Sequence, residues 1–239
     1  QIPDGVSREA FLETLCPPLP DNFEPQQDEP EAIRALQAQR PFKRSARAQW
    51  SEERWRMHRW AYCRLTERVD AQIGRVLDAL RESGKAENTV VIFTSDHGDM
   101  DGAHRMEHKT AFYEEACRIP LIVSRPGTTP AGAVDETHLV SNGLDLIPTL
   151  CDHAGIEPPA DLQGVSVRAL AEGETPSNWR EVLPMEGEFG RSVVTDRYKY
   201  VRYDHGEHRE QLYDLQERPL EMRNAIHDPD KQDVLANLR

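Results

Sequence analysis

Four consecutive apolar residues, Val90, Val91, Ile92 and Phe93, run directly into Thr94-Ser95-Asp96-His97-Gly98. No other stretch of this 239-residue chain constrains its fold as tightly. A continuous run of β-branched and aromatic side chains predicts a strand buried on both faces, as in a parallel sheet covered by helices. The segments on either side agree. Ser51 opens a helical pattern as an N-cap, and Trp55, His58, Tyr62, Leu65, Val69, Ile73, Val76, Leu77 and Leu80 then recur mostly at spacings of three and four. Gly84 stands where a helix-ending glycine is expected. Ile119–Ser124 predicts a second buried strand, and Val140–Leu150 a short helix with Pro148 inside it. Helix, buried strand, loop, buried strand and helix together predict an α/β fold.

The flanks read differently. Residues 1–48 are predicted to be irregular, because Pro17, Pro18, Pro20, Pro25 and Pro30 punctuate them. Pro158, Pro159, Gly164 and Gly173 make 156–190 linker-like. Beyond it, Arg191–Thr195, Tyr198–Tyr203 and Gln211–Leu215 predict short antiparallel strands, and a helix begins near Lys231. The expected organisation is a core over 1–155, a linker over 156–190, and a small antiparallel subdomain with a helix over 191–239.

Charge narrows the choice of partner. With 29 Lys and Arg against 42 Asp and Glu, the net charge is −13, which argues against a nucleic-acid surface. No apolar run approaches the roughly 18 residues of a membrane span. The first residues show no basic-then-apolar leader, and the opening resembles mid-protein sequence. Four scattered cysteines, Cys16, Cys63, Cys117 and Cys151, form neither a CxxC motif nor zinc-ligand spacing.

The chemistry concentrates after Phe93. Ligands in open α/β sheets bind at the carboxyl ends of strands, where loops present side chains from a rigid scaffold. An Asp beside a His at such an end offers one oxygen and one nitrogen to a common point, half of a divalent-metal shell. Gly98 lets the backbone turn away. By composition alone, the same residues fit a polar loop with a capping Asp. Lys109 is suited to face a divalent anion, although a lone lysine is most often a solvated surface group. Glu107, His104 and His108 flank it, and Glu114 and Arg118 have the spacing of a helical ion pair.

Taken together, Thr94-Ser-Asp-His-Gly-Asp99, Gly102-x-His104 and Lys109-x-x-x-Tyr113-Glu114-x-x-x-Arg118-Ile-Pro-Leu121 resemble the sulfatase family of the alkaline-phosphatase superfamily. The resemblance extends to Val69-Asp70-x-x-Ile73-Gly74, Asp145-Leu-Ile-Pro148-Thr-Leu150, Gln163-Gly164, Arg197-Tyr-Lys-Tyr200 and Glu210-Gln-Leu-Tyr-Asp-Leu215. Several motifs in the right order, from about residue 50 to the end, are specific in a way no single one is.

The resemblance implies an alkaline-phosphatase-like α/β fold with a parallel or mixed sheet flanked by helices, and a small C-terminal antiparallel subdomain. It implies a sulfuric ester hydrolase acting on a small-molecule or carbohydrate sulfate ester. Asp96 and His97 would be metal ligands, and Lys109 would contact the sulfate. His104 would lie near the same anion and is the candidate acid for the leaving alcohol. The cation would be calcium, as is usual in the family, although a nitrogen ligand leaves manganese or zinc open.

One departure is plain. Sulfatases act through a Cys or Ser oxidised to formylglycine within Cys/Ser-x-Pro/Ala-x-Arg. Cys16-Pro-Pro18-Leu-Pro20 has proline where the arginine belongs, and the family's N-terminal Asp-Asp pair is missing. The expectation is that these residues are the C-terminal half of a longer sulfatase and turn over little substrate alone. A phosphodiesterase or phosphonate hydrolase of the same superfamily, or a non-catalytic glycan-binding homologue, are the alternatives.

Overall fold

A computed structural model describes residues 2–109, 111–217 and 220–239. The proline-rich start is more ordered than its composition predicts. It forms helices α1 (Arg8–Thr14), α2 (Glu31–Gln39) and α3 (Pro41–Gln49). Pro30 and Pro41 occupy the N-cap of α2 and the first turn of α3, where a missing N–H costs nothing. They start helices here and break none.

Helix α4 (Glu52–Glu82) follows, with the Ser51 hydroxyl accepting from Arg54 N and Gly84 just beyond its end at φ +69°. Of its long apolar stripe only Trp55 is buried, whereas Leu65, Val69 and Val76 stand in solvent. Strands β1 (Val91–Thr94) and β2 (Leu121–Ser124) then form a two-stranded sheet. They pair antiparallel, Val91 opposite Ser124 and Thr94 opposite Leu121, which the expectation of parallel neighbours did not foresee. A short apolar run reports burial and is silent on strand direction. Burial itself is partial, since Phe93 and Ile122 are exposed.

Between these strands lies α5 (Glu114–Cys117). Helix α6 (Asn142–Ala154) contains Pro148 and shares a small cavity with Ile92, Leu121 and Val123 on one face of the strand pair. Residues 156–190 are tied down. Arg180 grips both carboxylate oxygens of Asp145 at 2.5 and 2.6 Å, and Val165 N donates to the same carboxylate. The stretch also holds α7 (Arg168–Ala171) and strand β3 (Leu183–Gly187).

Strands β3, β4 (Gly190–Val194), β5 (Tyr198–Tyr203) and β6 (Glu210–Asp214) form a four-stranded antiparallel meander in chain order. Helix α8 (Gln232–Leu238) follows. The meander is covered on both faces, because side chains alternate along each strand. Tyr200 and Leu212 pack with Ala225, Ile226 and Leu235 of the C-terminal segment. Val201, Tyr203 and Tyr213 pack instead against Met100, Ala103, Met106, Phe112 and Tyr113. The second cluster joins the meander to the loop that leaves β1.

Candidate functional site

Strand β1 delivers Asp96 and His97 to its carboxyl end as the sequence predicts. Ser95 is fixed from two sides: its carbonyl accepts from Asn142 Nδ2 at 2.7 Å, and its hydroxyl donates to His97 O at 2.7 Å. His97 Nδ1 lies 2.7 Å from the carbonyl of Gly98. A carbonyl only accepts, so Nδ1 carries a proton, and in the neutral ring Nε2 is the free acceptor. Nε2 stands 3.3 Å from Asp96 Oδ2. A proton on Nε2 makes this contact an ion pair, and in the neutral ring the two acceptors can share a cation. Metal–ligand bonds of about 2.0–2.5 Å give ligand separations of this order. The donor set fits a divalent cation as part of a shell. Among the described residues no cluster of three or more His, Cys, Asp or Glu side chains completes it. Asp96 is 81% exposed, so the pair opens outward.

Gly98 is required by close approach. A Cβ there would lie 2.0 Å from the carbonyl oxygen of Glu115. Its N–H donates to Ala116 O at 2.8 Å, which clamps the loop start onto α5. Farther along, Met100 N donates to His108 O at 2.7 Å and Gly102 N to Met106 O at 2.9 Å. The loop therefore doubles back and returns His108 and Lys109 beside residues 99–100. Asp101, His104, Arg105 and His108 all take positive φ, a backbone region that costs non-glycine residues energy. Burial of Met100, Ala103 and Met106 holds them in it. Lys109 is exposed.

His104 sits elsewhere. Expected beside the anion, it is fully buried and stacked on Tyr113 at 3.9 Å. Its backbone N–H donates to Asn22 O at 2.7 Å. Burial, reinforced by Arg47 and Lys199, holds its pKa down at about 3, so the ring is neutral. With no accessible surface it meets neither an ester oxygen nor a leaving alcohol, and it acts as packing beneath the turn. The Gly-x-His spacing carried no sign of that burial. Cys16 is likewise a core thiol, packed with Phe11 and Leu12 and raised in pKa by burial.

Sequence reasoning missed Lys199. It is fully buried on the face of β5 that meets the loop, and its ammonium donates to Phe112 O at 2.8 Å. It also pairs with Glu114 at 2.5 Å and Glu221 at 2.9 Å. Burial pushes its pKa down, but the two carboxylates outweigh that and carry it above the usual lysine value. Glu221 also accepts from Glu114 N at 2.7 Å. The pairing of Glu114 with Arg118 read from spacing is thus replaced by one with Lys199. The Arg-Tyr-Lys-Tyr motif was the available signal, with a lysine in phase with Val201 and Tyr203.

Comparison with known proteins places this geometry. Residues 14–156 match the family described as Sulfatase, and residues 102–239 match N-sulphoglucosamine sulphohydrolase, C-terminal. A Delta 4,5-hexuronate-2-O-sulfatase of Bacteroides thetaiotaomicron is 33% identical over 98% of this chain and 51% of its own length. The solved structure of a 2-O GAG sulfatase superposes with TM-score 0.83 at 34% identity, covering 93% of this chain and 50% of that one. The phosphonate monoester hydrolase of Agrobacterium radiobacter superposes with TM-score 0.72 at 29% identity, over 85% of this chain and 47% of that one. The chain spans about half the length, or less, of the curated relatives it matches.

Proposed function

The chain belongs to the sulfatase family, and we propose from that membership that the protein hydrolyses a sulfate ester at the carboxyl end of β1. The observation that carries this reading is the Asp96 Oδ2–His97 Nε2 pair at 3.3 Å, open to solvent, with an exposed lysine in the same loop.

Each residue has a derivable task. Asp96 supplies a carboxylate ligand, and the Nδ1–H of His97 on Gly98 O orients the ring so that Nε2 is the second. A bound divalent cation, calcium by proposal and manganese or zinc as alternatives, would stabilise negative charge on the ester oxygens. Lys109 offers a compact ammonium with three donors to the sulfuryl oxygens, where charge gathers in the transition state. The nucleophile is proposed to be a formylglycine borne on a Cys/Ser-x-Pro/Ala-x-Arg segment, a motif that residues 1–239 do not contain. The proposed substrate is a sulfated saccharide, because the relatives include proteins named for hexuronate and N-acetylglucosamine sulfates. A phosphodiester or phosphonate ester is the second reading, favoured by the likeness to the phosphonate monoester hydrolase.

Side-by-side assay of an aryl sulfate and an aryl phosphodiester with the intact protein separates the two. The expected result is faster turnover of the sulfate, lost on chelation and restored by a divalent cation. Asp96→Asn should lower kcat/KM by about 100-fold or more while the melting temperature holds, because the side chain is exposed. Lys109→Ala should lower kcat/KM as well. Wild-type turnover in Asp96→Asn would refute the metal-ligand assignment, and preference for the phosphodiester would install the second reading.

A further inference from the structure

A groove of about 490 Å³ lies where α2 and α3 meet the turn after His104, and the proposed hydrolysis does not use it. Helices α2 and α3 contribute Arg34, Arg44 and Arg47 to its lining, and the turn after His104 contributes Arg105. Glu24 and Glu29 are its only acidic lining residues. The surplus of positive charge is local, in a chain of net charge −13.

The carboxylates are placed to position the guanidinium groups, and they do not neutralise all of them. Buried Glu29 receives Arg47 Nη2 on both oxygens at 2.7 Å, and its backbone carbonyl accepts from Arg34 Nη1 at 2.7 Å. Glu24 receives Arg105 Nη2 at 2.7 Å. Arg34 has a further, long contact of 3.9 Å to Glu207. Among the described residues no carboxylate is paired with Arg44, which is exposed at the rim. Arg47 Nη1 and Arg105 Nε are shielded from solvent and have no hydrogen-bond partner. Guanidinium groups already held in place lose little entropy on meeting a planar or tetrahedral oxyanion.

The lining also selects among anions. It contains no aromatic ring and no aliphatic side chain larger than alanine or proline. Acyl chains need apolar walls, and none is offered here. A volume near 490 Å³ falls inside the roughly 300–1,000 Å³ span of small-ligand sites. We propose that this groove is a second binding site, taking a carboxylate- or sulfate-bearing saccharide through Arg34, Arg44 and Arg47. The proposal stands on the groove alone and does not depend on the roles given to Asp96, His97 and Lys109.

The test is calorimetric titration of the intact protein with a sulfated hexuronate disaccharide. It is done in the Lys109→Ala background, with a neutral disaccharide and inorganic sulfate as comparators. Arg44→Glu, at an exposed position without a paired carboxylate, should fold normally and weaken the charged disaccharide about tenfold or more. Wild-type affinity should fall as salt rises, and the neutral sugar should bind far more weakly. Equal binding of neutral and charged disaccharides would overturn the proposal. So would unchanged affinity in both Arg44→Glu and Arg34→Gln, or a complete absence of binding. Inorganic sulfate binding as tightly as the disaccharide would overturn the saccharide assignment.

Discussion

The strand pair β1–β2 with α4 and the meander β3–β6 with α8 are built from similar proportions of apolar residues, yet they use them differently. In the meander Leu212, Tyr213, Val201 and Tyr203 are all buried. In the strand pair Phe93 and Ile122 face outward, and α4 exposes Leu65, Val69 and Val76. Contiguous apolar surface of this kind marks a face that a stable protein covers. The meander supplies its own packing, and the candidate site sits on the region that does not. Besides the Asn142 hydrogen bond to Ser95, the site is steadied through the loop between Asp96 and Cys117, which is anchored in the meander's core.

The sharpest way to break this contrast is Lys199→Ala. It leaves the carboxylates of Glu114 and Glu221 facing each other without their cation, and breaking a buried pair costs about 3–5 kcal/mol. Urea denaturation should show that loss, and a change below about 1 kcal/mol would disprove the anchor. Leu212→Ala comes next, with an expected loss of about 2–5 kcal/mol from a fully buried position.

Acid should act at the seam between the regions. The folded pKa of His104, about 3, lies below its unfolded value near 6.5, so the unfolded state binds more protons in between. Stability from this group is present above about pH 6.5 and is lost as the pH falls toward about 3. His104→Gln should flatten that limb of a plot of melting temperature against pH; an unaltered slope would assign the acid sensitivity elsewhere. The smallest effect is expected from Ile122→Ala, within about 0.5 kcal/mol if the face stays open. A loss of 2 kcal/mol or more in the intact protein would show that another surface covers it.

Legibility in the sequence followed the same division. Helix α4 could be read because Ser51 and Gly84 mark its ends and its apolar spacing is regular. Strands β5 and β6 could be read from their short β-rich runs between turns. Strand β3 was hidden because Pro184 and the surrounding Pro and Gly residues suggest a linker, although an edge strand tolerates proline. Helices α2 and α3 were hidden because proline at a helix start looks the same in sequence as proline that stops one. The position of Asp96 and His97 at a strand end was legible from the apolar run before them, whereas their assignment as ligands came only from the family resemblance. His104 and Lys199 were not legible, because burial of a titratable side chain depends on what the far end of the chain brings to it. For Lys199 that is Glu221, distant in sequence and itself held at positive φ.

Lys199 turns the terminal sheet into a peg driven through the loop. Two of its three grips hold Phe112 and Glu114, the third holds Glu221, and Glu114 opens the short helix onto which Gly98 is clamped. A chain ending at β4 would lack no residue at the strand end, yet it would have lost the peg. The loop would then have lost its anchor with every proposed ligand still in the sequence.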